Sequence, residues 1–210
     1  MKKMIKTVLV ITMIACTLFS TYSFARGAAL GTNRFTGTVT TRETEDFCLQ
    51  TFQHATSPEQ LALIVIFFAL KNFTYDESYT THPQTLDTHR FIFQNDFHGV
   101  CADFATFVNT ALRVVSRHKG WEHVGSHIVT CIDPSDLSAH MLNYLSVRLP
   151  DGTVKVYEID TTWDLGRRQA SAPIQGLTNC CLAASQADVP AAIGTLFSRY
   201  HSDFSIKFTI

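Results

Sequence analysis

The first apolar positions of the chain form a block rather than a stripe. Lys2, Lys3 and Lys6 precede an uncharged run from Val8 to Phe19, and Ser23, Phe24 and Ala25 close it. Positive charge, a short apolar core and a small-x-small step together read as a secretory signal peptide, residues 1–25, cleaved after Ala25. The run falls short of the ~20 residues that anchor a helix across a bilayer, so an integral membrane protein is not expected. Ile14, Ala15 and Cys16 resemble the end of a lipidation box, but Met13 stands where leucine is usual and the downstream site matches better. The mature chain is expected to be exported, to the periplasm or beyond it.

Residues 26–56 read as an N-terminal lead-in. Its first part, rich in Gly and Thr, has no helical period, and a short helix is predicted over 43–53, including Cys48. The domain proper is expected to span 57–210. Ser57, Pro58, Glu59 and Gln60 supply a capping hydroxyl, a first-turn proline, an acid at the positive end of the dipole and a capping-box amide, so a helix starts there. Leu61 to Leu70 is apolar on every side, which predicts a helix buried in the domain centre. Residues 73–97 are polar and aromatic and read as one long irregular loop, a frequent component of binding clefts.

Phe104, Ala105, Val108, Ala111, Leu112 and Val115 recur at spacings of three and four, which predicts a helix over 101–119 that stops at Gly120 after a basic last turn. Strands are predicted over 127–132, 140–149 and 153–160, followed by a helix over 188–200 and an alternating strand over 204–210. Helices first and an antiparallel sheet afterwards is the order of an α+β fold.

Composition narrows the partners. A chain of 210 residues, 46% apolar, can build one real core but has no comfortable room for a second full domain. Removing residues 1–25 takes three lysines and no acid, leaving 14 basic side chains against 18 acidic ones. That mildly acidic balance gives no sign of nucleic acid or of an anionic membrane surface as partner. Cys48, Cys101, Cys131, Cys180 and Cys181 remain after cleavage, an odd number. Outside the cytoplasm four of them are expected to make two disulfides, in any of three connectivities, with a direct Cys180–Cys181 bond sterically disfavoured. Oligomeric state is not legible.

The free thiol is best assigned by chemistry. Cys101 opens a helix directly after Gly99 and Val100, where the partial positive charge of the helix end favours a thiolate. Gly99 is expected to leave room for a substrate backbone, and the Cys101 amide to donate to an oxyanion. The connection Pro150, Asp151, Gly152 suits a three-residue hairpin with a left-handed glycine. Counting outward places Leu149 opposite Thr153 and Leu142 opposite Asp160, so that His140 lies on the same face as Asp160 and diagonal to it, roughly 7 to 8 Å away between backbones. Asp160 then orients His140, and His140 serves Cys101 as base. His127 is the rival base, without an acid across a short hairpin. Taken singly, each residue has a plainer reading: a packed helical cysteine, an exposed strand-end histidine, a turn acid.

These residues also resemble the transglutaminase-like superfamily, a branch of the papain-like cysteine enzymes. The matching pieces are a buried helix followed by NFTYDES at 72–78, HGVCADFATF at 98–107, and HMLNYLSV then YEIDTTWD ending at Asp164. They come in the family order Cys, His, Asp and cover residues 58–164. The Gly-x-Cys-x-Asp-Phe-Ala signature is met by Gly99, Cys101, Asp103, Phe104 and Ala105. The resemblance implies a catalytic Cys101, base His140 and orienting Asp160, a helix packed on an antiparallel sheet, and acyl transfer from an amide through a thioester. Two departures stand out: Met141 and Leu142 follow His140 where an aromatic is common, and no clear side-chain oxyanion donor can be placed, although Gln94, Asn95 and His98 lie in the right stretch.

The expected activity is hydrolysis of peptide or protein amide bonds. Transfer to a primary amine, giving crosslinks, is the alternative within the same chemistry, and Trp163, just past Asp160, is a candidate wall that would exclude water. A non-catalytic protein-binding module on the same fold is the alternative outside it. No cofactor is expected. Asp133, Ser135 and Asp136 are too loosely spaced to make a calcium site, and His82 and His89 too poor in partners for zinc.

Overall fold

The computed structural model describes residues 41–76, 78, 87–135, 139–162, 177, 179–201 and 205–209. The signal peptide, most of the lead-in, the middle of the 73–97 stretch, Asp136 and Trp163 lie outside the described residues.

Helix α1 (Arg42–Phe52) is capped by Thr41, whose hydroxyl accepts from the Thr44 amide. It belongs to the compact unit Val39–Ile210 and not to a lead-in, because Cys48 and Phe52 are fully buried in the same core as the later helices. Helix α2 (Pro58–Asn72) starts as expected, with the Ser57 hydroxyl accepting from the Gln60 amide. Gln60 reaches one residue further back than a capping box requires: its Oε1 accepts from the Thr56 amide and hydroxyl, at 2.6 and 2.7 Å. Leu61, Ala62, Val65, Ile66, Ala69 and Leu70 are buried, while Phe67 is 56% exposed. The helix therefore buries one broad face and not its whole circumference.

The stretch 73–97 is not one irregular loop. It carries strand β1 (Thr74–Tyr75) and helix α3 (Thr88–Phe93), and leads into strand β2 (His98–Gly99), which pairs with β1 in parallel. Asp87 starts α3 by accepting from the His89 and Arg90 amides, and Phe91 and Ile92 anchor it in the core. Helix α4 (Cys101–His118) matches the spacing argument, and Gly120 leaves it at φ +66°.

The main sheet is antiparallel, ordered β6-β5-β4-β3-β7, where β3 is Val124–Ile132, β4 Ala139–Arg148, β5 Val154–Ile159, β6 Cys180–Ala183 and β7 Ser205–Thr209. Every side chain from Leu142 to Val147 of β4 is buried, so this central strand is covered on both faces. On one face Leu145, Val147, Tyr157 and Ile159 meet α1 to α4. On the other, Val129, Leu142, Tyr144 and Val156 meet helix α5 (Val189–Tyr200) through Val189, Ile193, Leu196 and Phe197. The α+β class stands, with helices on both sides of the sheet. No helix among the described residues is long and apolar enough to cross a membrane.

The helical side is held by phenylalanine rings. Phe68 stacks on Phe107 and meets Phe52 edge-on, while Phe73 packs on Phe91, Phe104 and Phe107 with centroids 4.7 to 5.1 Å apart. Aromatic pairs of this kind add to the area they bury. Phe107→Ala is expected to cost ~3 to 5 kcal/mol in urea unfolding, whereas Phe67→Ala stays within ~0.5 kcal/mol. Equal effects would contradict this account of the core.

Candidate active site

The β4–β5 hairpin has the register that the turn demanded. Asn143 faces Ile159 and Arg148 faces Val154, with Gly152 at φ +90° and the Leu149 amide donating to Thr153 O at 2.8 Å. Continued by one pair, the ladder sets Leu142 opposite Asp160. His140 Nε2 then lies 2.7 Å from Asp160 Oδ2. That leaves Nδ1 to face the sulfur, and Cys101 is close enough to the ring to favour its protonated form. Cys101 Sγ also lies 3.9 Å from Ala139 O, at the first residue of β4. The cluster thus sits where β4 begins, β5 ends and α4 begins.

Burial is deep but incomplete: the His140 side chain is 17% exposed and that of Asp160 7%, and Cys101 is 8% exposed. Desolvation is the largest influence on His140 and disfavours its charged form. The charge and hydrogen bond of Asp160, joined by Cys101, outweigh it and push the imidazole up to about 10. The net direction favours the protonated imidazole.

One hydrogen bond and one buried network hold this arrangement in register. Asn143 Nδ2 donates to Ala105 O at 2.9 Å, tying β4 to the first turns of α4. On the α5 side, Glu158 accepts from Tyr144 Oη at 2.8 Å and Asn179 Nδ2 at 3.1 Å, with His201 Nε2 at 3.3 Å. Glu158 lies two residues before Asp160, so this buried network steadies the end of β5.

Gly99 has a structural reason of its own. A Cβ built there would stand 2.7 Å from Asp103 Oδ2 and 2.9 Å from Asp103 Cβ. Asp103 folds back over this position so that its Oδ2 accepts from the Val100 amide at 3.0 Å. The missing side chain makes room for Asp103. Burial raises the Asp103 carboxyl above its ordinary value, against the pull of the Val100 amide and the Arg90 charge.

Gln94 is an exposed helix cap of α3, Asn95 is half-buried, and among the described residues no side-chain hydrogen bond joins either to Cys101 or His140. Backbone strain marks the turn between them and the cysteine: Asp96 and Phe97 have φ of 47° and 62°. His127 is excluded as the base. It faces Tyr144 across the ladder, four residues or roughly 13 Å along β4 from His140, and its Nε2 is 2.9 Å from Ser146 Oγ.

The five cysteines among the described residues are free, which corrects the expected pair of disulfides. Cys180 and Cys181 are adjacent on one strand and point to opposite faces, while Cys48 and Cys131 lie in cores on opposite sides of the sheet. Asp133 closes a local turn by accepting from the Ser135 amide and hydroxyl, and no group of three or more His, Cys, Asp or Glu among the described residues is placed to hold a metal ion.

Comparison with protein-family models gives no match to the chain, and comparison with curated proteins gives none either. The assignment of chemistry therefore stands on geometry.

Asp103→Ala leaves the buried Val100 amide without its acceptor and is expected to cost ~1 to 3 kcal/mol, with Asp103→Asn milder. Gly99→Ala is expected to be destabilising alone and partly relieved in the Asp103→Ala background, where the carboxylate is gone and the Cβ at 2.9 Å remains. Additive costs in that double-mutant cycle would show that the two residues do not compete for one space.

Proposed function

We propose that this protein is an exported cysteine enzyme of the transglutaminase-like kind, on a papain-like core, that hydrolyses peptide or protein amide bonds through a thioester at Cys101. The observation that carries the reading is the convergence of three side chains distant in sequence, with the imidazole bonded to Asp160 at 2.7 Å and Cys101 close enough to favour its protonated form. A buried imidazole–carboxylate pair beside a sulfur at the start of a helix is the kind of environment in which shifted protonation marks a functional site.

In this mechanism Cys101 Sγ attacks the carbonyl carbon while the Cys101 amide, in the first turn of α4, donates to the developing oxyanion. His140 holds the proton taken from the thiol and delivers it to the departing amine. Asp160 keeps the ring aligned and supports its charge without taking the proton. Water then adds to the thioester with His140 as base, releasing the acid and restoring the thiol.

The test incubates the mature protein with a peptide library and a labelled primary amine. Cys101-dependent peptide cleavage or deamidation supports the hydrolase, amine adducts redirect the reading to crosslinking, and no product dependent on Cys101 overturns it. His140→Ala is expected to lower kcat ~10²- to 10⁴-fold. The alkaline limb should follow loss of the His140 proton through about 10, and Asp160→Asn, which removes the carboxylate that raises it, should move that limb to lower pH. By the same sign, the stabilisation from this pair is complete below the imidazole's ordinary 6.5 and is lost as pH rises through about 10. An unmoved limb in Asp160→Asn would separate the acid from the base.

A further inference from the structure

Cys131 is a second thiol at the same end of the sheet, unused by the proposed chemistry. It is fully buried and stands directly opposite His140 across the β3–β4 ladder. Residues so paired share a face, with Cβ atoms roughly 4.5 to 5.5 Å apart. Cys131 Sγ lies 3.5 Å from His140 O, and Cys101 Sγ lies 3.9 Å from Ala139 O. The two sulfurs thus lie against the backbone of successive residues at the start of β4, and the charge of Cys101 reaches Cys131. The ladder to β7 shifts register between Thr130 and Cys131, and Cys131 pairs with Ile206 just past the irregularity. Among the other described cysteines, Cys180 and Cys181 are on β6, with β5 and β4 between them and β3, and Cys48 is in the core on the far side of the sheet.

We propose that Cys131 is a resolving thiol, which captures hydroperoxide oxidation of Cys101 as a Cys101–Cys131 disulfide. The inference rests on the reading above only in taking Cys101 as the nucleophilic sulfur. In the first step the Cys101 thiolate attacks an oxygen of hydrogen peroxide. An S–O bond forms, the O–O bond breaks, sulfur is oxidised to sulfenic acid, and the departing hydroxide takes a proton to become water. In the second step Cys131 sulfur attacks the sulfenyl sulfur. The S–S bond forms, the S–O bond breaks, and hydroxyl and thiol proton leave as a second water. Two thiols have then reduced one peroxide to two waters, and a thiol reductant reverses the bond.

The environments of the two sulfurs fit this order of events. Burial first, and then the charges of Asp160 and Cys101, push the Cys131 thiol up to about 12, so it does not compete for peroxide. The part owed to Cys101 vanishes once that sulfur is an uncharged sulfenic acid.

The experiment treats the full mature chain with hydrogen peroxide, with and without dimedone, and maps peptides without reduction. The expected result is loss of two hydrogens from the intact mass and a linked peptide pair containing Cys101 and Cys131, restored by dithiothreitol. Cys131→Ala should form no such pair, trap dimedone at Cys101 and proceed to the irreversible acid with two added oxygens. Wild-type protein that gives the dimedone adduct or the irreversible acid and no linked pair overturns the inference, and this arm does not depend on the variant folding. Linked peptides in a protein without amide turnover would leave the inference standing and sink the enzyme reading; turnover without the link would do the reverse.

Discussion

A 2.7 Å hydrogen bond between His140 Nε2 and Asp160 Oδ2 depends on parity. Side chains alternate across a strand, so two residues on neighbouring strands meet only when the turn between them sets an allowed register. Here that turn is Pro150, Asp151 and Gly152, with Gly152 in the left-handed region and Asp151 accepting from the Thr153 amide and hydroxyl. A turn one residue shorter would send His140 and Asp160 to opposite faces. Burial on both faces of β4 reinforces the choice, since a slipped register would press Arg148 into a core and lift Leu145 or Tyr144 out of one.

Removing an imidazolium and a carboxylate from water is expensive, and their attraction offsets the cost only when geometry is held closely. Several contacts do the holding. Asn143 fixes β4 against α4, Glu158 is bonded from β4 and from the segment before β6, and Asp103 shapes the backbone that presents Cys101. None of these touches the imidazole, yet each constrains an element that carries one member of the cluster. This division explains why polar groups are buried here in an otherwise aromatic interior.

Legibility in the sequence followed the range of the interactions. Helix α4 and the hairpin could be read because spacing and turn chemistry are local, and the pairing of His140 with Asp160 followed by counting. Strand β6 was missed: four residues, Cys180 to Ala183, give no alternation to recognise. Helix α3 was hidden by its six-residue length, although Asp87 before Thr88 was an available capping signal. The second helical layer could not be inferred, because nothing local says on which face α5 lands. At Gly99 the close neighbour is a side chain four positions later, folded back across a turn, and periodicity does not report such an approach. No sequence signal told a bridged cysteine from a free one, since pairing is decided by which core each thiol enters.

The register that aligns the proposed base also determines what else stands beside it. Cys131 faces His140 for the same reason that Asp160 lies diagonal to it: all three project from one face near the ends of their strands. A small residue is needed opposite the ring, because Leu142 and Val129 already fill the next pair along. Alanine or serine would meet that steric need, so size alone does not select cysteine. A thiol differs from both in being oxidisable, and in a chain expected to leave the reducing cytoplasm that difference is exposed to chemistry. Packing thus accounts for the volume at position 131, and the proposed resolving role would account for the sulfur.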